Sequence, residues 1–174
     1  TVSVVAGQVT LINYALLVPT EPKRIVQDTR DQLVAPVVSA DRRHLAYIVP
    51  GVAPAVYIMD VGSAQPVTQY QARAASGDAP QEQLESVVWS DDASHLLVRS
   101  KIGPTVTYRV LAAGGGEVIN LTDTFKFDFS GINFSAYSWR QLYWTSPEGL
   151  RRLDVDSRSV SAVLADNVSQ FWMA

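Results

Sequence analysis

Two stretches of this chain superimpose without a gap. Val38-Ser39-Ala40-Asp41-Arg42-Arg43-His44-Leu45-Ala46-Tyr47 lies over Trp89-Ser90-Asp91-Asp92-Ala93-Ser94-His95-Leu96-Leu97-Val98, at a constant offset of 51 residues. At the same offset Tyr57 falls on Tyr108. An internal repeat constrains a fold strongly, because every copy must build the same unit and bury its apolar face against its neighbour. The local chemistry of the repeat is legible. An apolar residue ends one strand, Ser and Asp hydrogen-bond backbone amides in a tight turn, and the next strand returns at Leu.

A repeat of about 40–50 residues made of short strands has the size of one four-stranded β-propeller blade. The chain therefore reads as all-β. Repeat one runs from about 33 to 70, with strands at 33–38, 44–49, 55–61 and 66–70. A loop rich in Ala, Gly, Ser and Gln leads to repeat two at 84–121, with strands at 84–89, 95–100, 105–112 and 117–121. Gly114-Gly115-Gly116 supplies the turn before its last strand. Repeat three, about 132–165, is less regular, with strands near 132–138, 141–146, 149–155 and 160–164. No stretch keeps a helical period, so almost no helix is expected.

The ends read differently. Residues 2–18 form two strands, and a polar, Pro-punctuated connector follows at 19–32, so a domain boundary falls near 30. Residues 1–30 are expected to be the terminal strands of a preceding module with its linker, and 31–174 a partial propeller. Val168-Ser169-Gln170-Phe171-Trp172 resembles the first strand of repeat two, so a further repeat begins at 167–172. Three repeats do not close a ring that needs about four to eight blades, and open sheet edges invite aggregation. The chain is thus expected to be a piece of a larger propeller. The alternative is that residues 1–18 and 167–174 pair into a fourth partial blade.

Composition excludes several classes. A net charge of −3 and pI near 5.3 give no electrostatic footprint for nucleic acid or an anionic membrane. The absence of cysteine removes disulfides, thiolate metal sites and Cys nucleophiles. The longest strongly apolar stretch, Leu11 to Val18, is too short to span a bilayer. Charged residues make up only 18%, with Ser, Thr, Gln, Val and Ala in their place, as in many exported β-rich proteins.

The candidate catalytic residues are recast by the repeat. His44 and His95, the only two histidines, sit at equivalent positions, and architecture repeats residues more readily than catalysis does. Asp41, Asp60, Asp91 and Asp92 read as turn caps, since the Asp-x-Asp-x-Asp-Gly spacing of a calcium loop is missing. No Gly-x-Ser-x-Gly elbow is present, and Gly114–Gly116 lacks the Lys-Ser/Thr ending of a phosphate loop. No catalytic, cofactor or metal residue is therefore assigned. The aromatics Tyr137, Trp139, Tyr143, Trp144, Phe171 and Trp172, with the alternating Phe125, Phe127 and Phe129, offer a carbohydrate- or peptide-binding surface. A core shared between repeats plus one amphipathic strand explains them as well. Asn120, Asn133 and Asn167 open Asn-x-Ser/Thr triplets, here taken as ordinary turn and strand residues rather than glycan acceptors.

The repeat resembles the "W-S-P-D-G-x-x-L-A-Y" unit of TolB-type, WD-like bacterial propellers, with Ala40 and Asp91 in place of Pro and Arg42 and Ala93 in place of Gly. Leu142–Ser146 followed by Gly149–Asp154 fits the second and third strands of the same blade. Val2–Thr10 and Leu16–Pro19 resemble the closing strands of a PEGA-type β-sandwich, though the name-giving motif is absent. The resemblance implies a non-enzymatic scaffold or protein-binding region of a bacterial cell-envelope protein. It would be extracytoplasmic and tethered by a segment outside this chain. A protein or peptide partner, no nucleic acid, no membrane insertion and no cofactor are expected. Recognition would fall to the loops Gly51–Pro54, Lys101–Pro104 and Ser146–Gly149, with Gly51, Pro54, Lys101, Pro104, Pro147 and Glu148 as candidates. Two alternatives are the gating propeller of a serine peptidase and a carbohydrate-binding propeller.

Overall fold

The run His95-Leu96-Leu97-Val98 is apolar at consecutive positions, and side chains of a strand alternate between faces. Both faces of this strand must therefore be covered. The computed structural model describes residues 34–63, 65–76 and 80–168, and it covers both. Leu96 and Val98 pack into one core with Ala46, Ile48, Val56 and Ile58. Leu97 packs into a second with Phe134, Leu142, Trp144 and Leu153.

The two cores separate three antiparallel sheets of four strands each, every one a meander in chain order. The first holds β1 (Val34–Val38), β2 (His44–Val49), β3 (Ala55–Asp60) and β4 (Pro66–Gln71). The second holds β5 (Glu82–Trp89), β6 (His95–Ile102), β7 (Thr105–Ala112) and β8 (Val118–Asn120). After one helical turn, α1 (Leu121–Phe125), the third holds β9 (Ser130–Ser135), β10 (Ser138–Ser146), β11 (Gly149–Asp154) and β12 (Ser159–Val160). The second sheet lies between the other two, so its residues carry both interfaces. Across the first interface the Trp89 indole N–H donates to the Val37 carbonyl at 3.0 Å.

The strands fall close to their expected places in all three repeats. Three details differ. The end of the second repeat is helical, because Asn120 caps α1: its side-chain oxygen accepts from the Asp123 N–H. The triplet Asn120-Leu121-Thr122 is thus a cap. The Phe125-Phe127-Phe129 alternation does not make a strand, since Lys126 takes a left-handed conformation (φ 58°) that ends α1. Phe129 is buried and Phe127 stays partly exposed. The last strand of repeat three is short, and the chain then crosses the β10–β11 hairpin, where Leu150 and Ala165 exchange a bridge.

The expected TolB-type propeller identity is overturned. The described sheets stand as three separate units, and none closes on itself. The residues that carried the resemblance encode something more general. Ser, Asp and a following apolar strand make a tight antiparallel hairpin, and any meander with such a first turn uses them. The strands expected at 2–18, the sandwich module and linker of 1–30, and the repeat expected to start within 167–172 lie outside the described residues, apart from Asn167 and Val168 in a turn and its exit.

Candidate functional site

The two first hairpins are superposable in their hydrogen bonding. The Ser39 hydroxyl donates to Asp41 Oδ1 at 2.5 Å and accepts from the His44 amide at 3.0 Å. The Ser90 hydroxyl donates to Asp92 Oδ1 at 2.6 Å and accepts from the His95 amide at 2.9 Å. The backbone closes identically, Ser39 with His44 and Ser90 with His95, each at 2.9 Å. The positions where a glycine would suit are taken by Arg42 (φ 61°) and Ala93 (φ 57°). The Ser39 hydrogen bond, then the Arg43 amide, holds the Asp41 carboxyl below its ordinary range. Burial pushes Asp92 up, but hydrogen bonds from Ser90 and Ser94 outweigh it and lower it.

This geometry is not that of a Ser–His–Asp triad. In a triad the hydroxyl hydrogen-bonds the imidazole that will take its proton. Here Ser39 and Ser90 give their protons to a carboxylate and meet only the histidine backbone. Ser94 does touch a ring, its hydroxyl 2.7 Å from His95 Nδ1 and 2.6 Å from Asp92 Oδ1. A hydroxyl has one proton to donate. With that proton on Asp92, His95 Nδ1 must be the protonated nitrogen and Ser94 the acceptor, which leaves Ser94 unactivated. In the first repeat Arg43 replaces Ser94, and the buried His44 Nδ1 has no hydrogen-bond partner. Asp60 receives the Ser63 amide at 2.7 Å, again as a turn cap. Asp91 is exposed.

The expected recognition loops are the hairpins joining the second and third strands of their sheets. They differ in character. At Gly51–Pro54, all four carbonyls are held by two glutamine side chains. Gln81 Nε2 donates to Gly51 O at 2.6 Å and Val52 O at 3.1 Å. Gln71 Nε2 donates to Ala53 O at 2.8 Å and Pro54 O at 2.9 Å. Pro54 itself is buried, whereas Val52, on the tip, is 88% exposed. At Lys101–Pro104, Lys101 is half-buried and Pro104 exposed, and Gly103 faces Pro80. Pro80 and Gln81 therefore sit between these two hairpins. At the third hairpin Pro147 and Glu148 are exposed, with Glu148 paired to Arg151. Gly149 is trapped beneath the crossing chain, where a Cβ would collide with the Ala165 carbonyl.

Two polar arrangements at the sheet junctions were not legible beforehand. Between the first and second sheets, the buried Glu82 carboxylate accepts four hydrogen bonds. Ser100 Oγ (2.6 Å) and Arg109 (2.5 Å) serve Oε1; the Tyr70 hydroxyl (2.8 Å) and the Arg73 amide (3.1 Å) serve Oε2. Burial pushes Glu82 up, but Ser100, the Arg73 amide, Tyr70 and Arg109 outweigh it, so it stays ionised. The Tyr70 phenol is pushed up to about 12, first by burial and then by Glu82. The one advance signal is that Ser100 and Arg109 occupy inward positions of core strands, where a polar residue needs a partner. Between the second and third sheets, Trp139 stacks on His95 with ring centroids 3.6 Å apart. Arg140 lies 4.6 Å from the same indole and pairs with Asp156 at 2.8 Å. A cleft of about 200 Å³ opens beside it, lined by Glu117, Ile119, Thr124, Trp139, Val155 and Arg158. Nearby, Tyr137 is 94% exposed. Of the other candidate aromatics, Trp144 is core and Tyr143 half-buried; Phe171 and Trp172 lie outside the described residues.

These features define an all-β array of four-stranded sheets whose polar residues lock turns and junctions. No family model matches the chain, and no curated protein matches it, so the resemblances to TolB-type and PEGA-type families are withdrawn. Among solved structures, the chain is similar to the crystal structure of the uncharacterized protein lmo1340 from Listeria monocytogenes EGD-e. The identity is 12% and the TM-score 0.56, over 80% of this chain and 42% of that one. That likeness concerns the fold alone, and the chain spans less than half of the neighbour's length.

Proposed function

We propose that this chain is a binding or scaffolding segment of a bacterial extracytoplasmic protein, with its sheets stacked in the manner of propeller blades within a larger assembly. The observation that carries the binding reading is the braced hairpin Gly51–Pro54. Four carbonyls held by Gln71 and Gln81 fix the loop while leaving Val52 projecting. A loop fixed before contact loses little entropy on binding, which favours recognition. The spending of Ser39, Ser90, Asp41 and Asp92 on turn hydrogen bonds further supports a non-catalytic role. The blade reading rests on the chain-order meanders and on the middle sheet buried on both faces.

A partner of protein or peptide nature is tested by selecting peptides from a random display library on the immobilised chain. The expected result is a selected peptide whose binding is lost with Val52→Asp and weakened with Gln81→Ala. Binding indifferent to both variants overturns the assignment of this loop. A fluorophosphonate probe tests the catalytic alternative in parallel. Covalent labelling of Ser39, Ser90 or Ser94 would overturn the non-catalytic reading.

A further inference from the structure

The outer face of the first sheet is as apolar as its inner one. Cross-strand partners share a face. Leu45 with Met59, Tyr47 with Tyr57 and Val49 with Ala55 therefore line the side of β2 and β3 that points away from the second sheet. The residues between them, Ala46, Ile48, Val56 and Ile58, fill the first core. On the outer side Tyr47 and Tyr57 stack with ring centroids 5.6 Å apart. The third sheet differs. Its outer positions alternate with Leu142, Trp144 and Leu153 of the second core, and hold Gln141 opposite Asp154 and Tyr143 opposite Arg152. That face suits water, whereas the outer face of the first sheet would leave a contiguous apolar patch.

The burial of that patch is already evident. Met59 and Ala55 are each 1% exposed, yet they belong to neither core of the described residues. Neighbours within a sheet flank a methionine but leave its upper side open, so other atoms must lie over it. The cover is narrow. Val38 on β1, which pairs with Leu45, and Thr68 on β4, which pairs with Tyr57, stay exposed on the same face. It therefore runs along β2 and β3, about the width of two strands.

We infer that residues 2–18 of this chain pack over the outer face of the first sheet and form one folded unit with it.

Three features fit this segment, which lies outside the described residues, to the face. It contains no Asp, Glu, Lys, Arg or His, so it matches an uncharged surface and would itself invite association if left in water. It holds two apolar runs, Val2–Val5 and Gln8–Val18, joined at Ala6-Gly7, as a two-stranded cover requires. It is also near enough. The fifteen residues 19–33 that lead into β1 at Val34 span up to roughly 50 Å when extended, against about 15 Å across four strands. The connector at 19–32 is then a crossover within one unit rather than a linker between two. The inference is independent of binding at the Gly51–Pro54 hairpin, so either can fail alone.

The chain has two methionines, Met59 and Met173, so labelling their methyl groups gives two NMR signals. The test is NMR on the full chain with labelled Met, Leu, Val and Ile methyls, together with amide hydrogen exchange across residues 2–18. The expected result is nuclear Overhauser contact between the Met59 methyl and methyls within 2–18, and exchange in that segment slowed about 100-fold or more. Met59→Lys should return exchange in 2–18 to the unprotected rate. Thr68→Lys, on the same face but outside the cover, should leave it slow. If Met59→Lys does not fold, the wild-type spectra decide alone. An equal mixture of labelled and unlabelled chains distinguishes copies, and Met59 contacts found only between chains would assign the face to a second copy and overturn the inference. Contacts from Met59 to residues 169–174 instead, or unprotected amides throughout 2–18, would overturn it as well.

Discussion

At the residue scale, the repeat is a set of hydrogen bonds that can be altered one at a time. In the second repeat Ser94 gives His95 Nδ1 a partner; in the first, Arg43 stands in its place and His44 Nδ1 is buried without one. Arg43→Ser should therefore stabilise the protein, by about 1 kcal/mol if the new hydroxyl satisfies the ring nitrogen. Urea unfolding measures this, and a loss would show that Arg43 has a packing role. Glu82 is the opposite case, a carboxylate 1% exposed whose four acceptor positions are filled. Glu82→Gln replaces one carboxylate oxygen with an amide NH2 that faces either Tyr70 and the Arg73 amide or Ser100 and Arg109, and leaves Arg109 without its counter-charge. A loss of about 3 kcal/mol is expected, the scale for breaking a buried pair. Retention of wild-type stability would mean that water reaches the site. This cluster was hidden in the sequence because its other members lie 9 to 27 residues from Glu82; Ser100 and Arg109 reach it across neighbouring strands, and Tyr70 and the Arg73 amide only when the first two sheets pack.

At the element scale, nearly every strand among the described residues was legible, and for a physical reason. Strand boundaries are set by local chemistry, as with Ser and Asp at the first hairpins and Gly115 and Gly116, at φ 86° and 91°, before β8. The exceptions are also local. Asn120 reads equally as the end of a strand or as a helix cap, and Asp123, three residues on, decides for the cap. The three phenylalanines alternate in sequence, but Lys126 at positive φ breaks the alternation in space. The β10–β11 hairpin looked like a free loop, because no sequence pattern shows that residues 164–165 cross it. Gly149 carries that contact, with φ 136° and no room for a Cβ beneath Ala165. Gly149→Ala should cost more than 2 kcal/mol, roughly the sum of backbone strain and a forced shift of the crossing chain. Gly114→Ala, where a Cβ meets nothing within 4 Å and φ is not positive, should stay within about 0.5 kcal/mol of wild type. Thermal unfolding of both variants separates the two cases; equal costs would mean that the crossing segment is loosely held.

At the scale of the whole molecule, the second sheet is the organising unit. Its strands are apolar on both faces, so it joins two cores, and the polar groups at its margins lock it to its neighbours: Glu82 and Trp89 toward the first sheet, His95 toward the third. The all-β class and the repeat were readable because the Ser-x-Asp hairpin and the strand after it recur without a gap at an offset of 51 residues; that the middle sheet is covered on both faces follows from Leu96, Leu97 and Val98, apolar in succession. The family identity was not readable, because a Ser-x-Asp hairpin answers a requirement of many antiparallel sheets. The central claim is that the repeated Ser–Asp–His pattern is architecture. The most direct measurement is equilibrium urea unfolding of Ser39→Ala, Ser90→Ala and the double variant. Each serine is buried and satisfies a histidine backbone amide, so each single change should cost about 1–3 kcal/mol. The double variant should lose their sum within about 0.5 kcal/mol, in one cooperative transition. Stability unchanged by either substitution would contradict the account and return both serines to the list of candidates for chemistry.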